Sequence, residues 1–464
     1  MIYKPQNGQI KDDAMFYHEG KFYLFSMYHK EDSDVYNNIW LAISDDGVNF
    51  QDYGCVVEDF PSFIWAMKVY PIKDGFMMNS GSFDNNGSQS VLKFWYSKDL
   101  IHWEYKPELD VVSPTIDGEN IRLDCMYVIS KNDRYYGYAT GQFGYLTSKD
   151  GMHWEAHRSN IDYSPFPVYN RALGGFEIAD CIEFDDKYYL FCGGFGHLGM
   201  NGYGVYIYES NTPDGIFKPH LPNYRINGAS KRWVNMWERF FNKDGEFLTA
   251  NYMYDGYSYE CGDVWLPPIK KLAKDAMGLH LEWWSGNGKM IGELYAEYAE
   301  LSAHNGDFGV FDDGDNTLKL SNVVPVEEKT VVEFDVTLLE NTFTEYSAGG
   351  FYLDEGENQG TAIVFDTYGK CEILAVKDSA VVSVDDVISF GSTAPYWLDS
   401  GVTYKIRVLV RDNMFEVYVN NKYLQTFNTT HYKEVAGKFI KGFAAVSRRR
   451  PCTLRDIKLY KLNV

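Results

Sequence analysis

Between residues 10 and 285 the chain consists of short apolar runs separated by polar turns, and the 3.6-residue spacing of an amphipathic helix is scarce. Ala14–Tyr17 leads into Lys21–Phe25, Cys125–Val128 into Arg134–Tyr138, and Gly175–Glu183 into Lys187–Phe191. Each pair reads as two neighbouring strands joined by a tight turn. A second pattern closes each unit. Ile43-Ser-Asp-Asp-Gly-Val-Asn-Phe50, Tyr96-Ser-Lys-Asp-Leu-Ile-His-Trp103 and Thr147-Ser-Lys-Asp-Gly-Met-His-Trp154 are one motif used three times, their serines 53 and 51 residues apart. Ser210–Phe217 is a looser fourth copy. Ser and Asp cap the bend, Gly permits positive φ, and the final aromatic is expected to pack back on its own unit.

A repeat of about 50 residues made of alternating strands predicts a β-propeller. Five blades are expected, at roughly 10–57, 58–110, 111–162, 163–224 and 225–285. After Trp284 the motif is gone. Ile291–Leu301 fits a short helix or a connecting strand equally well, and from Thr330 alternating strands return. Among them are Val331–Thr337, Ala362–Phe365, Tyr404–Val410 and Met414–Val419, with Asn420-Asn421 as a hairpin turn into Tyr423–Phe427. The expected fold class is all-β, a five-bladed β-propeller over 1–287 followed by a C-terminal β-sandwich over 288–464.

Composition narrows the partners. The 464 residues carry a formal net charge of −22, which disfavours nucleic acid and anionic membrane surfaces and suits a neutral substrate. No run of about 18 apolar residues offers a membrane span, and no signal-peptide core follows Met1, so a cytoplasmic protein is expected. Seven cysteines form no CxxC pair and no metal-ligand spacing, and read as buried free thiols. No metal and no cofactor is expected. Aromatic residues make up 17% of the chain, enough to fill sheets and to line a sugar-stacking wall.

Three acids stand just ahead of the strand pairs: Asp12, Asp124 and Glu177. Counted to the basic residue that opens the following strand, their offsets are 9, 10 and 10. In a propeller, equivalent positions of the innermost strands converge on the central axis, so carboxylates more than a hundred residues apart in sequence can meet there. Two carboxyl groups flanking an anomeric carbon cleave a glycosidic bond. One protonates the leaving oxygen, and the other attacks the carbon or activates water.

At these residues the chain resembles glycoside hydrolase family 32, the fructan- and sucrose-splitting enzymes. The family's Asn-Asp-Pro signature corresponds to Lys11-Asp12-Asp13, ahead of Gly20-Lys21-Phe22. Its Arg-Asp-Pro corresponds to Arg122-Leu123-Asp124-Cys125, and its Glu-Cys-Pro-Asp to Glu177-Ile-Ala-Asp180. The prolines of these signatures are replaced, and Arg122 stands one residue further from its acid. The resemblance implies a propeller joined to a sandwich, an oligo- or disaccharide substrate and a retaining mechanism. Asp12 would be nucleophile, Asp124 transition-state stabiliser and Glu177 acid/base. Asp13, Arg122, Asp180, His197, Trp40 and Trp65 are further substrate-binding candidates, the two tryptophans as a hydrophobic wall. An inverting arabinofuranosidase-like enzyme and a non-catalytic sugar-binding propeller are the alternatives. The sandwich is a candidate for binding sugar, for self-association into a homo-oligomer, or for bracing the propeller.

Overall fold

The computed structural model describes residues 1–83, 90–113, 115–116, 119–120, 123, 125–139, 145–158, 160–162, 177–195, 203–220, 225–228, 235–257, 262–303, 309–311, 318–338, 348–366, 371–378, 380–388, 399, 401–430, 438–448 and 451–464. The described chain is all-β apart from short 3-10 turns such as Pro107–Leu109. Four antiparallel sheets of four or five strands follow one another along the sequence. They open with the lead strands Gln9–His18, Met67–Ile72, Met126–Lys131 and Glu177–Phe184. Each lead strand packs beside the next, in a propeller-like arrangement of four blades. The lead strand of a further sheet, Asn235–Lys243, packs beside both the fourth and the first.

The repeated turn is built the same way three times. The Ser44, Ser97 and Ser148 hydroxyls accept the backbone N–H of Gly47 (2.9 Å), Leu100 (3.0 Å) and Gly151 (2.9 Å). Those three residues hold φ of 75°, 66° and 77°, the left-handed region that favours glycine, so the middle blade meets the same geometry with a leucine. Asp99 accepts the N–H groups of His102 (2.8 Å) and Ile101 (3.0 Å). These bonds, with the His102 ring, hold its carboxyl well below the ordinary carboxylate range.

The closing aromatics do something the repeat alone did not predict: each also reaches the preceding unit. Trp103 lies edge-on to Phe25, Trp154 to Tyr70, and Phe217 to Tyr138, at centroid distances of 5.7, 6.3 and 5.6 Å. The buried clusters follow the same logic. One joins the first blade to the second, another the second to the third, and another the third to the fourth. Apolar burial is therefore concentrated between blades, where it fixes their angle around the axis.

The sheet that begins with Asn235–Lys243 does not end as a blade. Its strand Gly278–Trp283 meets Lys422–Asn428 at the pair Glu282 and Lys422, so the sheet runs on into the C-terminal region and totals 11 strands. That part packs against an 8-stranded sheet around Phe334, Phe351, Phe415 and Phe443. Ile291–Ala303, ambiguous in sequence, is a strand paired with Cys452–Leu462. Asn420 and Asn421 turn the predicted hairpin with φ of 47° and 66°.

At the junction, Lys270 and Glu416 form a fully buried ion pair at 2.9 Å. The ammonium also donates to Asn251 Oδ1 and to the Pro268 carbonyl, while Glu416 accepts from Tyr418 and Thr426. The amino-terminal segment is tied to the same sheet. Ile2 N donates to Leu266 O and Leu266 N to Tyr3 O, both at 2.8 Å. The Tyr3 ring lies 5.7 Å from Phe50. Cys55, Cys181, Cys192 and Cys452 are free thiols, and burial pushes Cys452 up to about 12.

Candidate active site

Three lead strands carry one irregularity in common near their start. The register slips by one residue between Lys11 and Ala14, between Ile178 and Asp180, and between Met236 and Arg239. A bulge of this kind leaves a residue out of the ladder and re-aims its side chain. In the first blade that residue is aspartate. Asp12 sits in the bulge with φ of 52°, a left-handed conformation that Asp and Asn tolerate better than bulkier residues. Glu177 lies at the head of its strand opposite Gly193. The offsets of 9 and 10 residues therefore differ because Asp12 lies in the bulge and Glu177 one step before its own.

Asp12 is 9% exposed, and its Oδ1 accepts the Tyr252 hydroxyl at 2.7 Å. Tyr203 joins it to the fourth blade. Burial pushes the Tyr203 phenol well above its ordinary value, with the Glu177 and Asp12 carboxylates reinforcing that shift. Both acids therefore act on one buried ring. Gly193 makes this arrangement possible, because a Cβ there would lie 1.5 Å from the Tyr203 oxygen.

Asp13 is 3% exposed and turned away from solvent. Its Oδ1 accepts from Ser26 at 2.6 Å, and its carbonyl oxygen accepts Arg239 Nη1 at 2.6 Å. Oδ2 is buried without a hydrogen bond among the described residues. Burial pushes the Asp13 carboxyl up to about 7, the Asp12 charge adding to the shift while Ser26 and Arg239 oppose it. The sign of the linkage follows. Between about pH 4 and 7 the folded chain holds a proton that the unfolded chain has released, so this group's contribution to stability falls as pH rises through that window. Asp13→Asn imitates the protonated acid. Its melting temperature should exceed that of wild type by an amount that grows from pH 5 to pH 8, the growth reflecting on the order of a few kcal/mol. Thermal melts across pH 5–8 check this.

Asp180 is 1% exposed and serves as a clasp between elements. Its Oδ2 accepts Lys68 Nζ at 2.8 Å and Phe240 N at 2.7 Å, and Oδ1 accepts Cys181 N. Both carboxylate oxygens are engaged by Lys68 and by backbone N–H groups, which fits the strand-supporting alternative better than direct sugar contact. Lys68 also donates to Phe240 O, so the second, fourth and fifth lead strands meet at this ion pair.

The two tryptophans expected to form a wall stand in different surroundings. Trp65 is half-buried and stands between Phe63 and Phe83, at 6.1 and 4.6 Å. Phe63 lies 6.2 Å from Tyr36, and Tyr36, raised chiefly by burial, also feels the charges of Asp12 and Asp13. This row runs from the acids toward solvent. Trp40 stands two strands out from Asp12, its indole N–H donated to Tyr3 at 2.9 Å and its ring 4.7 Å from Tyr28. Asp124, Arg122 and His197 lie outside the described residues. The neighbouring strand is fixed, however: Asn79 donates to Met126 O at 2.8 Å and accepts Met126 N at 3.1 Å.

Arg239, Tyr203, Tyr252, Lys68 and Tyr127 escaped the sequence reading. The one available signal was a basic residue set inside the apolar run of the fifth lead strand. Among the described residues, no group of three His, Cys, Asp or Glu side chains is placed to hold a metal.

A propeller-like arrangement of blades joined to a sandwich is also the architecture of solved glycoside hydrolase family 32 structures. The likeness spans both regions. A β-fructofuranosidase of that family from Bombyx mori superposes with a TM-score of 0.68 at 12% identity, over 99% of this chain and 92% of that one. A fructofuranosidase from Schwanniomyces occidentalis, solved with fructosylnystose, gives 0.66 at 11%, over 100% and 97%. A fructan 1-exohydrolase from Cichorium intybus, solved with 1-kestose, gives 0.64 at 13%, over 99% and 97%. No protein-family model and no curated protein sequence matches the chain.

Proposed function

We propose that this chain is a glycoside hydrolase that cleaves a furanoside, with a β-fructofuranoside the first choice. In this reading the sheet from Asn235 is the fifth blade, residues 1–287 form the catalytic unit and 288–464 the sandwich. The observation that carries the proposal is the bulge of the first lead strand, which sets the buried Asp12 carboxylate against the Tyr252 hydroxyl of the fifth sheet at 2.7 Å, while Glu177 heads the lead strand of the fourth blade. Support comes from the solved structures of like fold, two fructofuranosidases and a fructan exohydrolase.

The chemistry is a double displacement. Asp12 attacks the anomeric carbon as the glycosidic bond breaks, and Glu177 gives its proton to the departing oxygen. The resulting ester on Asp12 is then opened by water, whose proton returns to Glu177. A sugar hydroxyl in place of water gives transfer. Asp124 is assigned to the ring hydroxyls that gain hydrogen-bond strength as positive charge develops. The row from Tyr36 to Phe83 offers apolar faces to the remainder of the substrate.

The test is a panel of sucrose, inulin, levan and arabinosides, with the first-formed anomer read by proton NMR. A fructoside is expected to be cleaved with retention, and Glu177→Gln to lose about 10²–10⁴-fold in turnover. Wild-type turnover by Glu177→Gln, or no release from any member of the panel, overturns the proposal. Inversion on an arabinoside would transfer the chain to the arabinofuranosidase-like class.

A further inference from the structure

We infer that Arg239 is a positioning residue for Asp12, gripping the peptide that follows it and setting a buried cation toward its carboxylate. The inference rests on the reading of Asp12 as nucleophile. Arg239 is 2% exposed and follows the register slip of the fifth lead strand. Its Nη1 donates to the Asp13 carbonyl at 2.6 Å, the first backbone oxygen beyond the left-handed turn at Asp12. Its Cζ lies 5.6 Å from the centre of the Tyr127 ring. Burial alone would weaken its basicity, yet Tyr127 and the Asp12 carboxylate facing it hold the guanidinium above its ordinary value.

The setting explains why a cation is needed. Two consecutive carboxyls lie side by side in a site almost closed to water, and like charges so placed resist joint ionisation. The groups facing Asp12 are Asp13 from its own strand, Arg239 and Tyr252 from the fifth sheet, Tyr203 from the fourth blade and Tyr36 from the first. Of these only Arg239 is cationic. The anchored carbonyl also keeps the bulge from relaxing into regular pairing, which would turn the Asp12 side chain out of the channel.

The test compares Arg239→Met, which keeps length without charge, with Arg239→Lys, which keeps charge. Activity is followed on whichever panel sugar the wild type cleaves. Independently of turnover, the full chain is labelled with a water-soluble carbodiimide and glycine ethyl ester, and Asp12 is followed by peptide mass mapping across pH 4–8. Arg239→Met is expected to move the acid limb of kcat/KM, and the labelling of Asp12, about one to two pH units upward. Arg239→Lys is expected to restore the wild-type profile in large part. Arg239→Gln replaces the methionine variant should that one fail to fold. Unmoved labelling and an unmoved acid limb in the uncharged variant, with Asp12→Asn inactive, overturn this inference alone. If Asp12→Asn remains active the nucleophile reading falls, and the labelling profile still decides what Arg239 does to Asp12.

Discussion

Asp12→Asn is expected to lower kcat by about 10⁴-fold or more while leaving the fold intact. Asparagine accepts the left-handed backbone that Asp12 adopts, at a position where most side chains would be strained. Its amide oxygen can still take the Tyr252 hydrogen bond. What it loses is the negative charge and with it the ability to form an ester at the anomeric carbon. Turnover measured beside a thermal melt separates the two effects. A melt within about 2 °C of wild type with the activity gone is the expected pair of results. Full activity in that variant would remove Asp12 from the chemistry.

The second large effect is on stability. Removing one member of the Lys270–Glu416 pair, as in Glu416→Ala, is expected to cost about 3–5 kcal/mol, because the partner is left charged where no water reaches it. The pair joins the fifth sheet to the sandwich, so the loss should be felt in both regions at once. The double variant Lys270→Met with Glu416→Leu removes both charges and fills similar volume, and should recover much of the loss. Its ceiling is set by Asn251, Tyr418 and Thr426, which would lose partners. Chemical denaturation of the three proteins measures this. A Glu416→Ala protein as stable as wild type would show that the pair adds nothing to the junction.

The repeat was legible in sequence because its chemistry is local. Ser44, Asp46 and Gly47 bond within four residues, and any copy of the motif must fold the same turn. Sandwich strands were legible for a similar reason, since alternation survives wherever one face of a sheet is covered. What sequence could not give was the partner of each element. Trp103 bonds to its own turn through Leu100 O, but its ring also packs on Phe25 of the previous blade, and nothing local encodes that. Glu282 and Lys422 fuse two regions that read as separate.

Asp12 and Glu177 could be picked out by their place near the start of a strand pair, whereas the partners of Asp180 and Trp40, namely Lys68 and Tyr3, left no local signal. Arg239 acts across more than two hundred residues of sequence. The absent proline at 13 gains a physical meaning as well. A proline there would push residue 12 toward extended backbone, and Asp12 is left-handed.

The attachment of Tyr3 to Leu266 gives the molecule an awkward birth. Tyr3 leaves the ribosome roughly 260 residues ahead of the strand it must join, a wait of tens of seconds at ordinary translation speeds. Throughout that wait the nascent first blade has a bare flank with no mate yet synthesised. Expression at low temperature, or with a holdase chaperone to shield that flank, should therefore favour yield more for this protein than for one assembled from neighbours alone.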